Sequence, residues 1–247
     1  MKTAKTFFLL LLLILIAGNS YSQTKEYKEY YNSGELKVSS FKNASNQYEG
    51  EYKQYYKNGE LAILEFYKNG KEEGESKHYY PSGKVKQLLS YKNGKLDGEI
   101  KEYYPTGQIE YLRHYKNGLQ DGESKSYEEN GQLSAHWFSK NGRTEGIYKI
   151  YYENGQIHYT SSYKNDKEDG ESKAYYESGK LEKLRFYKNG KLDGEYKEYY
   201  ENGQPRELSF RQNGKQEGEV KQYFSSGKIR SSSFYKNGQQ DGKNIIY

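Results

Sequence analysis

The 24 residues 50–73, GEYKQYYKNGELAILEFYKNGKEE, recur in register to the end of the chain. Copies begin near 26, 50, 74, 98, 122, 146, 170, 194 and 218, and a partial copy covers 242–247. Only the first copy is longer, by one residue between 41 and 50. A fixed period of this length marks a repeat array, in which each unit buries itself against its neighbours rather than in a central core. That limits the fold before any single residue is weighed.

Each copy carries two turn signals. The first is Asn58-Gly59, which returns as Ser82-Gly83, Thr106-Gly107, Asn130-Gly131 and onward. The second is Asn69-Gly70, which returns as Asn93-Gly94, Asn117-Gly118 and onward, except for Asn165-Asp166. Asn-Gly between apolar runs predicts a two-residue hairpin loop with both residues at positive φ. Asp166 suits that conformation less well than glycine, so its turn is expected to be looser. The runs between turns have strand length. The expected fold is all-β, an elongated antiparallel meander of about nine hairpin repeats. It would have about 19 strands and roughly 90 Å of sheet if flat, coiled by strand twist.

Composition agrees with a thin sheet. Hydrophobic residues make up 33% and include 31 tyrosines, which leaves too few aliphatic side chains for a large core. Mean hydropathy is −1.23, low enough for disorder. Disordered chains are poor in aromatics, however, and this one is 17% aromatic.

Alternation assigns the two faces. With a two-residue first loop, Tyr56 would face Leu61 and Lys53 would face Leu64. One face then holds Lys53, Tyr55, Leu64 and Phe66, and the other holds Tyr56, Leu61 and Tyr67. The Tyr55 column is tyrosine in every copy: Tyr30, Tyr79, Tyr103, Tyr127, Tyr151, Tyr175, Tyr199, Tyr223 and Tyr247. Such constancy is expected of residues that stack one repeat on the next. An acid always precedes the leading glycine, as at Glu49, Glu73 and Asp97, and a glutamate usually follows it. With lysines close by, this pattern predicts a Glu–Lys surface ladder rather than a calcium site.

The first 22 residues stand outside the period. Lys2 and Lys5, an apolar run over 7–17 and Ser20-Tyr21-Ser22 read as a secretory signal peptide, with the array over 23–247. The run is short for a membrane span. The expected location is periplasmic, outer-envelope or secreted. Without cysteine there can be no disulfide and no thiolate metal site. The formal charge of +5 falls to +3 without Lys2 and Lys5, and the charges are interspersed along the chain.

Catalytic chemistry is not legible. His114, His136 and His158 share a face but step diagonally, about 12 Å apart, which is too far for one metal ion. No nucleophile elbow or phosphate loop is present. The expectation is a non-enzymatic protein without cofactor or metal. Two copies break rank: one has Glu128, His136 and Trp137, and the next has Ile147 and Asp166. Tyr127, His136, Trp137, Phe138 and Tyr151 are therefore the candidate partner-binding residues.

The motif Y-Y-x-N-G at 199–203 and F-Y-K-N-G-K-x-D-G-E at 186–195 resembles MORN repeats, in particular the bacterial variant form. The resemblance runs over 26–247 and implies a twisted sheet of hairpins used as a binding scaffold. Similarity to YwqK-type antitoxin components implies a toxin partner; with the leader, this becomes an exported immunity component. The leading expectation is thus a protein partner. Aromatic rows beside lysines make an envelope glycan or membrane surface the alternative, followed by a purely structural spacer. Export and the acidic columns argue against nucleic acid.

Overall fold

The computed structural model describes residues 24–247. The signal-peptide reading of 1–22 lies outside them. Strand Lys25–Tyr30 pairs with Leu36–Lys42, which pairs with Tyr48–Tyr55, which pairs with Leu61–Lys68. The same up-and-down order continues to Ile229–Lys236 and Ile245–Ile246. Twenty-three strand segments form one antiparallel sheet. Four of them, Lys71–Glu72, Lys95–Leu96, Arg143–Thr144 and Gln239–Gln240, are two-residue openings of the strand that follows, so the ladder has nineteen positions. The all-β meander of hairpin repeats is the fold.

The two turns in each repeat differ. At the second, Asn69 (φ 52°) and Gly70 (φ 75°) are both left-handed, and Lys68 faces Lys71 across a two-residue loop. At the first, only Gly59 is left-handed (φ 85°). Its N–H donates to Tyr56 O at 2.9 Å, and Tyr56 N–H donates to Glu60 O at 2.8 Å. The loop is therefore wider than expected: Tyr55, not Tyr56, faces Leu61, after a register shift at Gln54/Tyr55, while Lys53 does face Leu64. The reason is visible in the repeats themselves. Serine or threonine replaces the asparagine of the first turn in several copies, and a branched Thr106 suits a turn in which glycine alone must be left-handed. The second turn keeps asparagine in every copy from 69 onward.

The Asn165-Asp166 turn keeps the two-residue form, with a slightly longer backbone bond to the preceding repeat than the 2.7–2.9 Å of the glycine turns. Asp166 sits at φ 66°, its N–H reaches Thr144 O at 3.1 Å, and its Oδ1 accepts the Thr144 N–H at 2.6 Å.

Pairing sorts Glu51, Lys53, Leu64 and Phe66 to one face and Tyr52, Gln54, Ile63, Glu65 and Tyr67 to the other. Burial falls on the second face, which varies most from copy to copy. Along the column of Tyr52, Ser76, Ile100, Ser124, Ser172 and Val220 are all buried, with Ser124 fully so. Where the column holds a tyrosine, rings of neighbouring strands pack on it: Tyr48 and Tyr67 lie 5.1 and 5.6 Å from Tyr52, and Trp137 lies 5.8 Å from Tyr148. Burial pushes the Tyr163 phenol, part of the same layer, up to about 12. On the first face, by contrast, Phe66, Phe138, Phe210 and Phe234 are exposed.

Candidate functional site

Two sets of side-chain bonds tie successive repeats together, the first of them at most junctions. Along the edge of the wider turns, the second tyrosine of each pair donates its hydroxyl to a backbone carbonyl one repeat on. Tyr31 reaches Tyr55 O, Tyr56 reaches Tyr79 O, and the series runs through Tyr80, Tyr104, Tyr152, Tyr176 and Tyr200 at 2.6–2.9 Å. The constant Tyr55 column thus supplies the acceptor carbonyls, and the neighbouring tyrosine supplies the donor. Asn58, Asn154 and Asn202 add amide bonds to carbonyls of the next turn.

Along the other edge, the acid before each leading glycine accepts the backbone N–H of an asparagine twenty residues later. Glu49 takes Asn69, Asp97 takes Asn117 and Glu217 takes Asn237; the bond recurs in all eight such turns at 2.7–3.1 Å. The leading glycine makes this reach possible. Gly122 sits at φ +127°, and an added Cβ would meet the His114 Cβ at 2.9 Å. These acids are therefore turn acceptors and do not belong to the expected Glu–Lys ladder. That ladder is built by the glutamate after the glycine: Glu51–Lys53 at 2.5 Å, Glu99–Lys101 at 2.7 Å and Glu195–Lys197 at 2.7 Å. Hydrogen bonds donated to these carboxylates hold Lys53, Lys101 and Lys197 above the usual lysine range.

The candidate partner-binding residues do not all converge. Tyr127, His136, Phe138 and Tyr151 lie on the exposed face, where His136 Nε2 is 2.8 Å from Glu123 Oε1. Trp137 faces the opposite way and stacks on Tyr148 at an interplanar angle of 29°. Ile147, in the strand that pairs with that of His136, is 49% exposed close to Phe138 at 45%. Because Ile147 replaces the ladder glutamate, Lys149 has no carboxylate partner among the described residues. His114 Nδ1 donates to the Glu123 backbone carbonyl while His136 meets the Glu123 side chain, and the His158 ring packs 4.3 Å from the Tyr152 ring, so the three diagonal histidines do not converge on one point.

The sequence profile described as MORN repeat variant matches residues 48–69, 72–93, 96–117, 120–141, 144–165, 168–189, 192–213 and 216–237. The chain belongs to the MORN repeat variant family. The copy that begins near 26 is not matched, although its strands pair in the same ladder. No curated protein sequence matches. Among solved structures, S. aureus TarM aligns at 15% identity over 49% of this chain and 21% of its own, with a TM-score of 0.22. The complex of TcdB2, TccC3 and Cdc42 aligns at 12% over 92% and 13%, with a TM-score of 0.24. A porin-like protein from Bacteroides uniformis aligns at 9% over 89% and 93%, with a TM-score of 0.19. This chain spans about a fifth of TarM's length. At such scores these likenesses carry no argument about fold or function.

In the MORN array the fold also sorts charge that is mixed along the sequence. The two residues flanking each tight turn are lysine or arginine at thirteen of sixteen positions from Lys68 to Gln239. The edge of the wider turns carries Glu60, Glu128, Glu129, Glu153, Glu177 and Glu201 against four lysines. Inside the covered face a polar chain runs across three repeats: Tyr67 and Ser76 donate to Glu65, His78 joins Glu65 to Gln87, and Gln87 donates to Glu102, which pairs with Arg113. Burial alone would raise the Glu65 carboxyl, but hydrogen bonds from His78, Tyr67 and Ser76 outweigh it and hold it below its ordinary value.

Proposed function

We propose that this MORN array is an exported, non-enzymatic scaffold that holds a protein partner on its exposed face, centred on the 122 and 146 repeats. The observation that carries the reading is the break at Ile147. There the Glu–Lys ladder gives way to an exposed Phe138–Ile147 patch, with Tyr127 and Tyr151 alongside and Lys149 left without a carboxylate. Apolar anchors beside an uncompensated cation suit a partner that brings an apolar side chain and an acid. Tyrosine adds contact area at low conformational cost.

The narrower form of the proposal makes the partner a toxin and this chain its immunity or antitoxin component. It rests on the likeness of the repeats to YwqK-type proteins and on the leader expected at 1–22. The test is affinity purification from the native envelope with the wild type and with Ile147→Glu, a change that restores the regular ladder and leaves the strand pairing alone. The wild type should recover one stoichiometric protein, and the variant should lose it. Recovery of nothing by the wild type, or equal recovery by both, would remove the proposal.

A further inference from the structure

The edge of the tight turns has a depression of about 860 Å³ lined by Arg143, Lys164, Asp166, Lys167, Asp169 and Lys188. A second, of about 360 Å³, adjoins it and shares Arg143 and Asn165, with Lys140 on its far side. Five cations thus converge on one concave stretch of edge: Lys140, Arg143, Lys164, Lys167 and Lys188. None forms an ion pair among the described residues, although lysines on the exposed face pair regularly. The three acids present are each engaged with backbone: Glu145 accepts the Asn165 N–H, Asp169 the Asn189 N–H, and Asp166 the Thr144 N–H. Their carboxylates are held against the turns, while the longer basic side chains carry no ion pair; Arg143 makes only a long hydrogen bond to Asn165 Oδ1 at 3.4 Å.

We propose that this edge is a binding site for an anionic glycan, a carbohydrate chain bearing sulfate, phosphate or carboxylate groups. Successive turns lie two strands apart, roughly 10 Å, so the cations form a ladder that a linear polyanion can follow across several repeats. Asn141, Asn165 and Asn189 place amide groups between the cations, where they can bond sugar hydroxyls. No aromatic side chain lines either depression, so this stretch of edge offers no platform for stacking bases, which argues against single-stranded nucleic acid. The placement of the cations around two depressions argues against a flat lipid surface. The site stands independently of the protein partner proposed for the exposed face.

The test measures binding of the full exported chain to dextran sulfate, neutral dextran, phosphatidylglycerol vesicles and polyadenylate at low and moderate salt. Three proteins are compared: the wild type; a variant with Lys140, Arg143, Lys164, Lys167 and Lys188 all changed to Gln; and a control with Lys57, Lys84 and Lys180 of the opposite edge changed to Gln. Dextran sulfate should bind the wild type and ignore the neutral polymer. Affinity should fall about tenfold or more in the five-site variant and little in the control, because each solvated pair contributes modestly and five act together. An unchanged thermal transition in the five-site variant would show that the fold persists. Equal losses in both variants, or no preference over neutral dextran, would overturn the site. Vesicle or polyadenylate binding as tight as that of dextran sulfate would overturn the choice of ligand.

Discussion

The junction between the 122 and 146 repeats is held differently from the junctions around it. Between the 98 and 122 repeats, Tyr104 donates its hydroxyl to Tyr127 O at 2.9 Å. At the next junction the same position is Glu128, and no hydroxyl reaches Tyr151 O. Asn130 turns inward as well, bonding Gln132 in its own loop rather than the next turn. The junction compensates elsewhere. Trp137, the single tryptophan, stacks on Tyr148 across it, and Asp166 adds a side-chain bond to Thr144 on the far edge. A repeat array is stabilised by unit and interface contributions in series, so an interface can exchange one kind of contact for another without altering the ladder. It also places the exposed Phe138–Ile147 patch over an interface that lacks the tyrosine tie.

The largest effect should come from removing the substitute. Trp137→Ala deletes the stack and uncovers Ser124, and should cost about 2–3 kcal/mol in chemical denaturation, given that the ring is only half-buried. The loss should be local: amides of residues 128–131 and 152–155 should exchange with solvent faster than those of 104–107. If all junctions loosen together, the array is one cooperative unit and the comparison fails. Trp137 faces away from the proposed partner, so this variant should keep partner binding wherever it remains folded.

Smaller changes come from exchanging the two kinds of tie. Tyr104→Phe removes one hydroxyl from a regular junction and should cost about 1 kcal/mol; Glu128→Tyr adds one to the irregular junction and should return a similar amount. Phe224 already lacks the hydroxyl at the corresponding place near the end of the array, so a phenylalanine there is compatible with the fold. If Glu128→Tyr stabilises the Trp137→Ala background no more than the wild type, the two ties act independently across the junction.

The covered face of the early repeats offers a pH-dependent contrast, because it holds a polar chain where the middle holds the Trp137–Tyr148 stack. Glu65 is held below its ordinary value of 4.5 in the folded state, so its carboxylate stabilises the fold above that value. The contribution is lost as the pH falls through the lowered value. Glu65→Gln should therefore flatten the acid limb of a stability profile below the ordinary value of 4.5, with a smaller effect than the hydroxyl exchange. An unchanged limb would show that the His78 and Tyr67 bonds do not persist in solution.

Much of this was legible in the residues. Period, alternation and the two glycine turns led to a meander with the correct number of ladder positions and the correct Lys53–Leu64 register. The first turn was misjudged because Asn58-Gly59 looks like Asn69-Gly70 in isolation, although Thr106 already argued against two left-handed residues. The covered face was harder to recognise: serines at 76, 124 and 172 carry no hydrophobic signal, and they are buried by residues of the neighbouring strands, such as Leu89, Trp137 and Arg185 opposite them. The acceptor role of Asp97 and its equivalents could not be read from a position beside glutamate and lysine, since the bond spans twenty residues. Charge that alternates along the chain becomes separated only when every tight turn falls on one edge.

The smallest effect, and the finest division of the comparison, lies at Asp166. Glycine occupies the equivalent place in the other seven tight turns, and an L-residue there sits in a conformation that costs about 1–2 kcal/mol, less for aspartate. Its Oδ1 accepts the Thr144 N–H at 2.6 Å, a bond that glycine cannot make and one of similar size. Asp166→Gly relieves the backbone and loses the bond together, so its net effect should be within about 0.5 kcal/mol of zero. Asp166→Ala keeps the strained φ and loses the bond, so it should be less stable than Asp166→Gly by about 1 kcal/mol. A glycine variant clearly more stable than the wild type would mean that the Thr144 bond adds nothing and that Asp166 is kept for the edge cleft it lines. A clearly less stable one would mean that this bond, with the tryptophan stack, is what replaces the missing tyrosine.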